Sequence, residues 1–152
     1  MLAFRRGGDS RTVAKSGVAV TSASGANGVL ATISVPAGYM DLDSQLVITC
    51  DFTSGGAVGT RTITVAINDG SSTNVLVTTM SATASRGQFR IAQRGVAASQ
   101  RNTIDWVTSL ALASTPASNT TKTLTGAFTV TITATNPSDS VTLESYYATV
   151  YS

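Results

Sequence analysis

The side chains that most often do chemistry are scarce in this chain of 152 residues, and those present are poorly spaced for catalysis. Histidine is absent, which removes the usual general base, any Ser/His/Asp triad and most zinc sites at once. Acid–base work would fall to carboxylates. Asp41 and Asp43, in the run Tyr39-Met-Asp-Leu-Asp-Ser44, are the closest pair. Their spacing could set two hard oxygen donors on one side of a loop, as calcium requires, or could simply cap the turn before the next strand. Glu144 is the sole glutamate. A glycosidase-like pair would need Asp51, Asp69, Asp105 or Asp139 to approach it in space. Gly55, Gly56 and Gly59 lack both the Gly-Lys-Ser/Thr ending and the following helix of a phosphate loop, and read as turn glycines. The expectation is a protein that is not an enzyme and needs no cofactor.

Binding chemistry is better represented. Arg86, Arg90 and Arg94 share parity with Gln88 and Ala92, while Phe89 and Ile91 alternate with them, so a strand here would carry a basic ridge. Such a ridge suits an acidic partner or nucleic acid, or is an ordinary solvated face. No aromatic residue interleaves on that face, so base stacking lacks support and nucleic acid is not an expected partner. Tyr147 and Tyr151 have the parity of Val141 and Leu143 and are expected in the core or at its rim. Tyr146 faces the other way, where a hydroxyl-bearing ring suits a subunit interface or a sugar.

Charge is confined to one end. Arg5, Arg6, Arg11 and Lys15 against Asp9 make the first 15 residues +3, and the remaining six basic and seven acidic residues give −1. Residues 1–15 are therefore expected to form a basic anchoring arm, with Leu2 and Phe4 as apolar contacts and Arg5, Arg6 and Arg11 as the charges that pair with acidic groups. The lone Cys50 alternates with Leu46, Ile48 and Phe52, as a small core residue would. There is no apolar run near 18 residues and no signal-peptide core after Met1, so no membrane partner and a reducing site of synthesis are expected.

The elements that must position these residues read as β-structure. Thr and Ser number 25 and 19 against 10 basic and 8 acidic residues, a mixture that suits pleated surfaces and turns better than helices. The clearest run is 122–134, where Leu124, Gly126, Phe128, Val130, Ile132 and Ala134 alternate with threonines and Lys122 is the only charge. A period of two predicts one buried and one solvated face. Further strands are expected near 11–20, at 29–35 with Val29, Ala31, Ile33 and Val35 on one face, and at 46–52, 60–67, 74–80, 88–93, 101–113 and 141–151. Turns are expected at Ser24–Gly28, Pro36–Gly38, Asn68–Gly70 and Asn136–Pro137, and loops at Thr53–Gly59 and Ser114–Thr121. Eight or nine strands without a helix predict an all-β, antiparallel sandwich, jelly-roll-like first and immunoglobulin-like second, over residues 16–152 as one domain.

The runs Leu30-Ala-Thr-Ile-Ser-Val-Pro-Ala-Gly-Tyr-Met40, Gln45-Leu-Val-Ile-Thr49 and Thr60-Arg-Thr-Ile-Thr-Val-Ala-Ile67 resemble a recurring jelly-roll module of tailed-bacteriophage virion proteins. The resemblance covers residues 16–151 in layout, and about 40 residues specifically. It implies a particle component such as a head decoration (cement) protein, a head fibre, or a tail-fibre or tail-spike part, often a dimer or trimer, and it carries no catalytic residue. The expected function is capsid decoration: binding the major capsid protein or another virion protein as a homo-oligomer, with the virion as the location. The alternative is a tail adhesin that touches a host receptor or polysaccharide through its loops. Absence of heptads, collagen repeats and β-helix repeats excludes a long shaft within these residues.

Overall fold

The computed structural model describes residues 9–23, 25–55, 61–71, 73–80, 84–96, 99–108, 112–135 and 139–152. Among them there is no helix. The strands are β1 (Ser10–Ser16), β2 (Val20–Ser22), β3 (Asn27–Val35), β4 (Gln45–Ser54), β5 (Arg61–Asn68), β6 (Thr73–Met80), β7 (Ala84–Gln93), β8 (Gln100–Thr108), β9 (Leu112–Thr120), β10 (Phe128–Thr135) and β11 (Val141–Tyr151). They form a β-sandwich. One sheet runs β1-β11-β4-β7-β8-β9, with β2 also paired to β11, and the other runs β3-β10-β5-β6.

The pairing is nested and antiparallel throughout. β5 pairs β6, β4 pairs β7, β3 pairs β10 and β1 pairs β11, as if one long hairpin were folded over and its successive pairs dealt alternately to two layers. The hairpin tip is the Asn68-Asp69-Gly70 turn. Gly70 has φ 87 and its amide donates to Asn68 Oδ1 at 2.8 Å, a conformation a side chain at position 70 would resist. At the other strand end, Gly38 (φ 76) closes β3 after Pro36.

Period-two sequence accounts for the core. β4, β5 and β10 alternate buried and half-buried positions without a break over their central residues. Their inward members, Leu46, Ile48, Cys50, Phe52, Ile63, Val65, Ile67, Val130 and Ile132, meet Phe89, Ile91, Ala148 and Val150 from the other strands in one cluster. Each large apolar side chain so buried contributes roughly 1.5–3 kcal/mol relative to exposure. Burial pushes the Cys50 thiol far above its usual pKa, in keeping with its place as a small core residue.

Three expectations are corrected by the strand bounds and registers. The strand expected at 11–20 is broken around Gly17 into β1 and β2. The loop expected at 114–121 is strand β9, one of eleven strands among the described residues. It can hold Pro116 because β9 is an edge strand whose ladder skips there, passing from Asn102↔Ser118 to Ile104↔Thr115. In β3, Val29 is 58% exposed and Leu30 turns inward, because the ladder with β10 slips between Ile132 and Thr133.

The run 122–134 is a strand only from Phe128 onward. Leu124 is buried, as the alternation predicted, and so is Lys122, but the backbone of this segment bonds to side chains and a turn rather than to a neighbouring strand. The Lys122 amide donates to Gln100 Oε1 at 2.7 Å, and Gln100 Nε2 donates to the Lys122 carbonyl and, at 2.8 Å, to Gln93 Oε1. The Thr123 amide donates to Asp69 Oδ2 at 3.1 Å, and Thr125 accepts from the Gly38 amide at 3.1 Å. Lys122 Nζ lies 3.7 Å from Asp69 Oδ1, with both side chains almost wholly buried.

Two tests follow from this packing. Phe89→Ala should lower unfolding stability by about 3–5 kcal/mol in urea titration, the usual loss for deleting a buried ring. Asp69→Ala should cost about 3–5 kcal/mol because it removes the carboxylate beside a buried ammonium, and Lys122→Met added to it should restore most of that loss; equal stability of the single and double variants would assign the cost to the turn instead.

Candidate functional site

The sandwich offers two outer faces, and they differ in chemistry. On the smaller sheet the outward residues are Asn27, Val29, Thr32 and Ser34 of β3, Thr129, Thr131, Thr133 and Thr135 of β10, Thr62, Thr64, Ala66 and Asn68 of β5, and Thr73 and Val75 of β6. Registers align them in rows: Thr131 lies between Thr32 and Ala66, and Thr133 between Val29 and Thr64. Among the described residues this face carries no charge, and Val75 is 53% exposed.

The outer face of the larger sheet is polar, aromatic and charged. Its centre is built by β4, β7 and β11, whose registers set Tyr151 beside Gln45 and Ala92, Thr149 beside Val47 and Arg90, and Tyr147 beside Thr49 and Gln88. A cavity of ≈ 280 Å³ opens there, lined by Gln45, Val47, Gln88, Arg90 and Tyr151.

The tyrosines occupy places opposite to those expected. β11 carries a bulge between Leu143 and Ser145, where Phe52 faces Leu143 and Asp51 faces Ser145, leaving Glu144 as the extra residue. One inserted residue inverts the parity of everything after it. Tyr146, expected outward as an interface or sugar contact, therefore packs against the core. Tyr147 and Tyr151, expected in the core or at its rim, stand on the outer face and are each 47% exposed. The Tyr147 hydroxyl lies 2.6 Å from Thr12 Oγ1 on β1; that bond, with Lys15 nearby, holds its pKa below the usual phenol range.

The basic ridge exists but is interleaved with acids. Arg86 Nε donates to Asp51 Oδ1 at 2.7 Å and its Nη2 to Oδ2 at 3.3 Å, a forked pair across β4 and β7. Arg90 Nε donates to Gln88 Oε1 at 2.9 Å and lies 4.0 Å from Asp105 Oδ2 on β8. Arg94 lies just past β7, exposed. The strand sequence alone hid this neutralisation because Asp51 and Asp105 belong to the two flanking strands.

The expected arm overlaps the sheet. From Ser10 onward the chain is β1, paired to β11, and Arg11 stacks its guanidinium 5.9 Å from the centre of the Tyr39 ring, an exposed cation–π contact worth about 0.5–1 kcal/mol. Leu2, Phe4, Arg5 and Arg6 lie outside the described residues, as do the centre of the 53–59 loop and the turn at Asn136 and Pro137. Asp41 caps its turn: Oδ1 accepts from the Asp43 amide at 3.2 Å and from Ser44 Oγ at 2.6 Å. Among the described residues no three His, Cys, Asp or Glu side chains gather as a metal would need. Glu144 Oε1 accepts from the Thr53 hydroxyl. Compared with known proteins, the chain matches no family model, no curated relative and no solved structure.

The Asp51 fork has a pH signature. Its bonds to Arg86 and Ser145 hold the carboxyl below its ordinary value of 3.8, so the unfolded chain binds the proton more readily. The pair contributes stability above the ordinary carboxylate range, and that contribution is lost as pH falls through the lower folded value. Being largely exposed, it is a small contribution. Asp51→Asn should lower stability slightly at neutrality and flatten the acid limb of stability against pH by the same small amount; an unaltered limb would remove Asp51 from the acid response.

Proposed function

We propose that this chain is a non-enzymatic structural component of a tailed-bacteriophage particle, a capsid decoration protein that self-associates and binds capsid subunits. The observation that carries the reading is the charge-free Thr, Ser, Asn and Val face of the smaller sheet. Lone β-proteins commonly guard flat sheets and their edges with lysine or other charges; the chain holds 10 basic and 8 acidic side chains, and among the described residues none is spent on this face. A β-branched surface with hydroxyls in register is complementary to a second copy of itself, since it demands no counter-charge and each hydroxyl both donates and accepts.

The nested pairing supports the jelly-roll reading. Pairs β1·β11, β4·β7 in one layer and β3·β10, β5·β6 in the other are what a jelly roll would have, with β8 and β9 added to the edge of the first layer. The resemblance of residues 30–67 to phage virion modules points the same way. Residues 1–8 supply the remaining part of the proposed anchor: Leu2 and Phe4 would bury in a capsid groove beside Arg5 and Arg6. Each exposed ion pair is weak, at about 0 to 1 kcal/mol, and repetition around an oligomer supplies the strength. A tail-fibre or tail-spike adhesin is the second reading, favoured by the two exposed tyrosines of the larger sheet.

Sedimentation velocity and binding to empty heads test this. The wild-type chain should sediment as a dimer or trimer, Thr131→Arg should sediment as a folded monomer, and deletion of residues 1–8, which spares β1, should weaken head binding. A wild-type monomer, or undiminished binding by both variants, would overturn it.

A further inference from the structure

We infer that the outer face of the larger sheet is a binding site for an extended, uncharged polysaccharide, with Tyr147 and Tyr151 as stacking platforms and Gln45, Gln88 and Arg90 as hydroxyl-binding groups. The tyrosines are four residues apart on one face of β11, about 13 Å at the rise of a strand. That distance is the length of a short oligosaccharide. The ladder from Tyr147↔Thr49 to Tyr151↔Gln45 is unbroken, so both rings rise from the same face of one hydrogen-bonded strand. Sugar rings present C–H faces that pack on aromatic rings, and the half-exposed tyrosines offer the apolar body and polar tip such a ligand needs.

Beside the row of tyrosines, across β4 on β7, polar groups are already set. Arg90 donates through Nε to Gln88 Oε1 at 2.9 Å, which fixes both side chains beside the cavity of ≈ 280 Å³. Gln88 Nε2 lies 3.5 Å from Thr49 Oγ1. Tyr147 is tied to Thr12 on the adjoining strand. Groups held before binding lose less freedom when a ligand arrives.

Charge selects the ligand class. Asp51 sits with Arg86 and Asp105 near Arg90, so the centre of the face is close to neutral. Amides, hydroxyls and paired charges both donate and accept, as sugar hydroxyls do. A phosphate backbone, which only accepts, would meet the carboxylates of Asp51 and Asp105 and gain little. The inference stands on this face alone: a head-decorating protein and a tail component would both bind the glycan, so failure of head binding and failure of glycan binding are read separately.

The test is affinity electrophoresis and calorimetry of the full chain against an array of neutral polysaccharides, including α-glucan, β-glucan and galactomannan, with alginate and single-stranded DNA as charged probes. Retardation by a neutral polymer is expected, insensitive to salt. Tyr151→Ala and Tyr147→Ala should each weaken it about tenfold or more, the effect of losing an aromatic anchor, and Gln88→Ala less. Thr131→Arg, which breaks the proposed self-association on the opposite sheet, should keep each subunit's affinity for a short oligosaccharide and lose only the gain that repetition gives on a long polymer. Circular dichroism of the tyrosine variants should match wild type, because both rings are on the surface. Absence of binding to every neutral polymer, binding that survives loss of both tyrosines, or salt-suppressed binding to alginate or DNA alone would overturn the inference.

Discussion

A single apolar layer shared by two sheets of unequal width is the constraint on which the rest of this structure depends. The smaller sheet has four strands and the larger is six across, so apolar cover runs out before the larger sheet does. The inward side chains change where that happens. β4 and β7 contribute Leu46, Ile48, Phe52, Phe89 and Ile91, whereas β8 begins with Gln100 and Asn102, both buried. Buried amides are costly unless hydrogen-bonded, and the segment 121–127 meets that need for Gln100 by bringing its own backbone to it. Lys122 is then carried inside, and the hairpin-tip residue Asp69 compensates it. A lysine that looks like a solvent marker in the sequence is thus a consequence of sheet width.

Register decides what the outside offers. In a strand each side chain that fills the core fixes the orientation of its neighbours, so the faces are by-products of the core unless a bulge intervenes. The Glu144 bulge does so in β11. It lets Val141 and Leu143 fill the core at one end and Ala148 and Val150 at the other, and sends Tyr147 and Tyr151 outward together. Without the extra residue, the two rings would compete with Ile48 and Leu46 for interior space. On the smaller sheet, β10 runs unbroken against β5, and its threonines keep one face throughout.

This also explains how much could be read from the sequence. Alternation identified the core positions of β4, β5 and β10 and the all-β class, because burial on one face writes itself into every second residue. The Asn68-Asp69-Gly70 turn was legible because positive φ has few solutions. The bulges at Glu144 and near Leu30 were not: a one-residue insertion leaves no mark in composition, and both halves of the strand still alternate. β9 was hidden by Pro116, which is tolerated only at a skipped position of an edge strand, a fact of pairing rather than of local sequence. The Arg86 and Arg90 partners were hidden for the same reason, since Asp51 and Asp105 approach through neighbouring strands.

The two faces also constrain each other. An uncharged hydroxyl face that packs against another copy would bury the smaller sheet and turn the larger sheet outward, since the faces lie on opposite sides of one core. In such an assembly the tyrosine face would repeat once per subunit around the oligomer. Weak individual contacts to a repetitive polymer or lattice then add through effective concentration rather than through new contacts. A shallow, preset face would suffice, and a deep pocket, which a core this fully occupied leaves no room to form, would not be required.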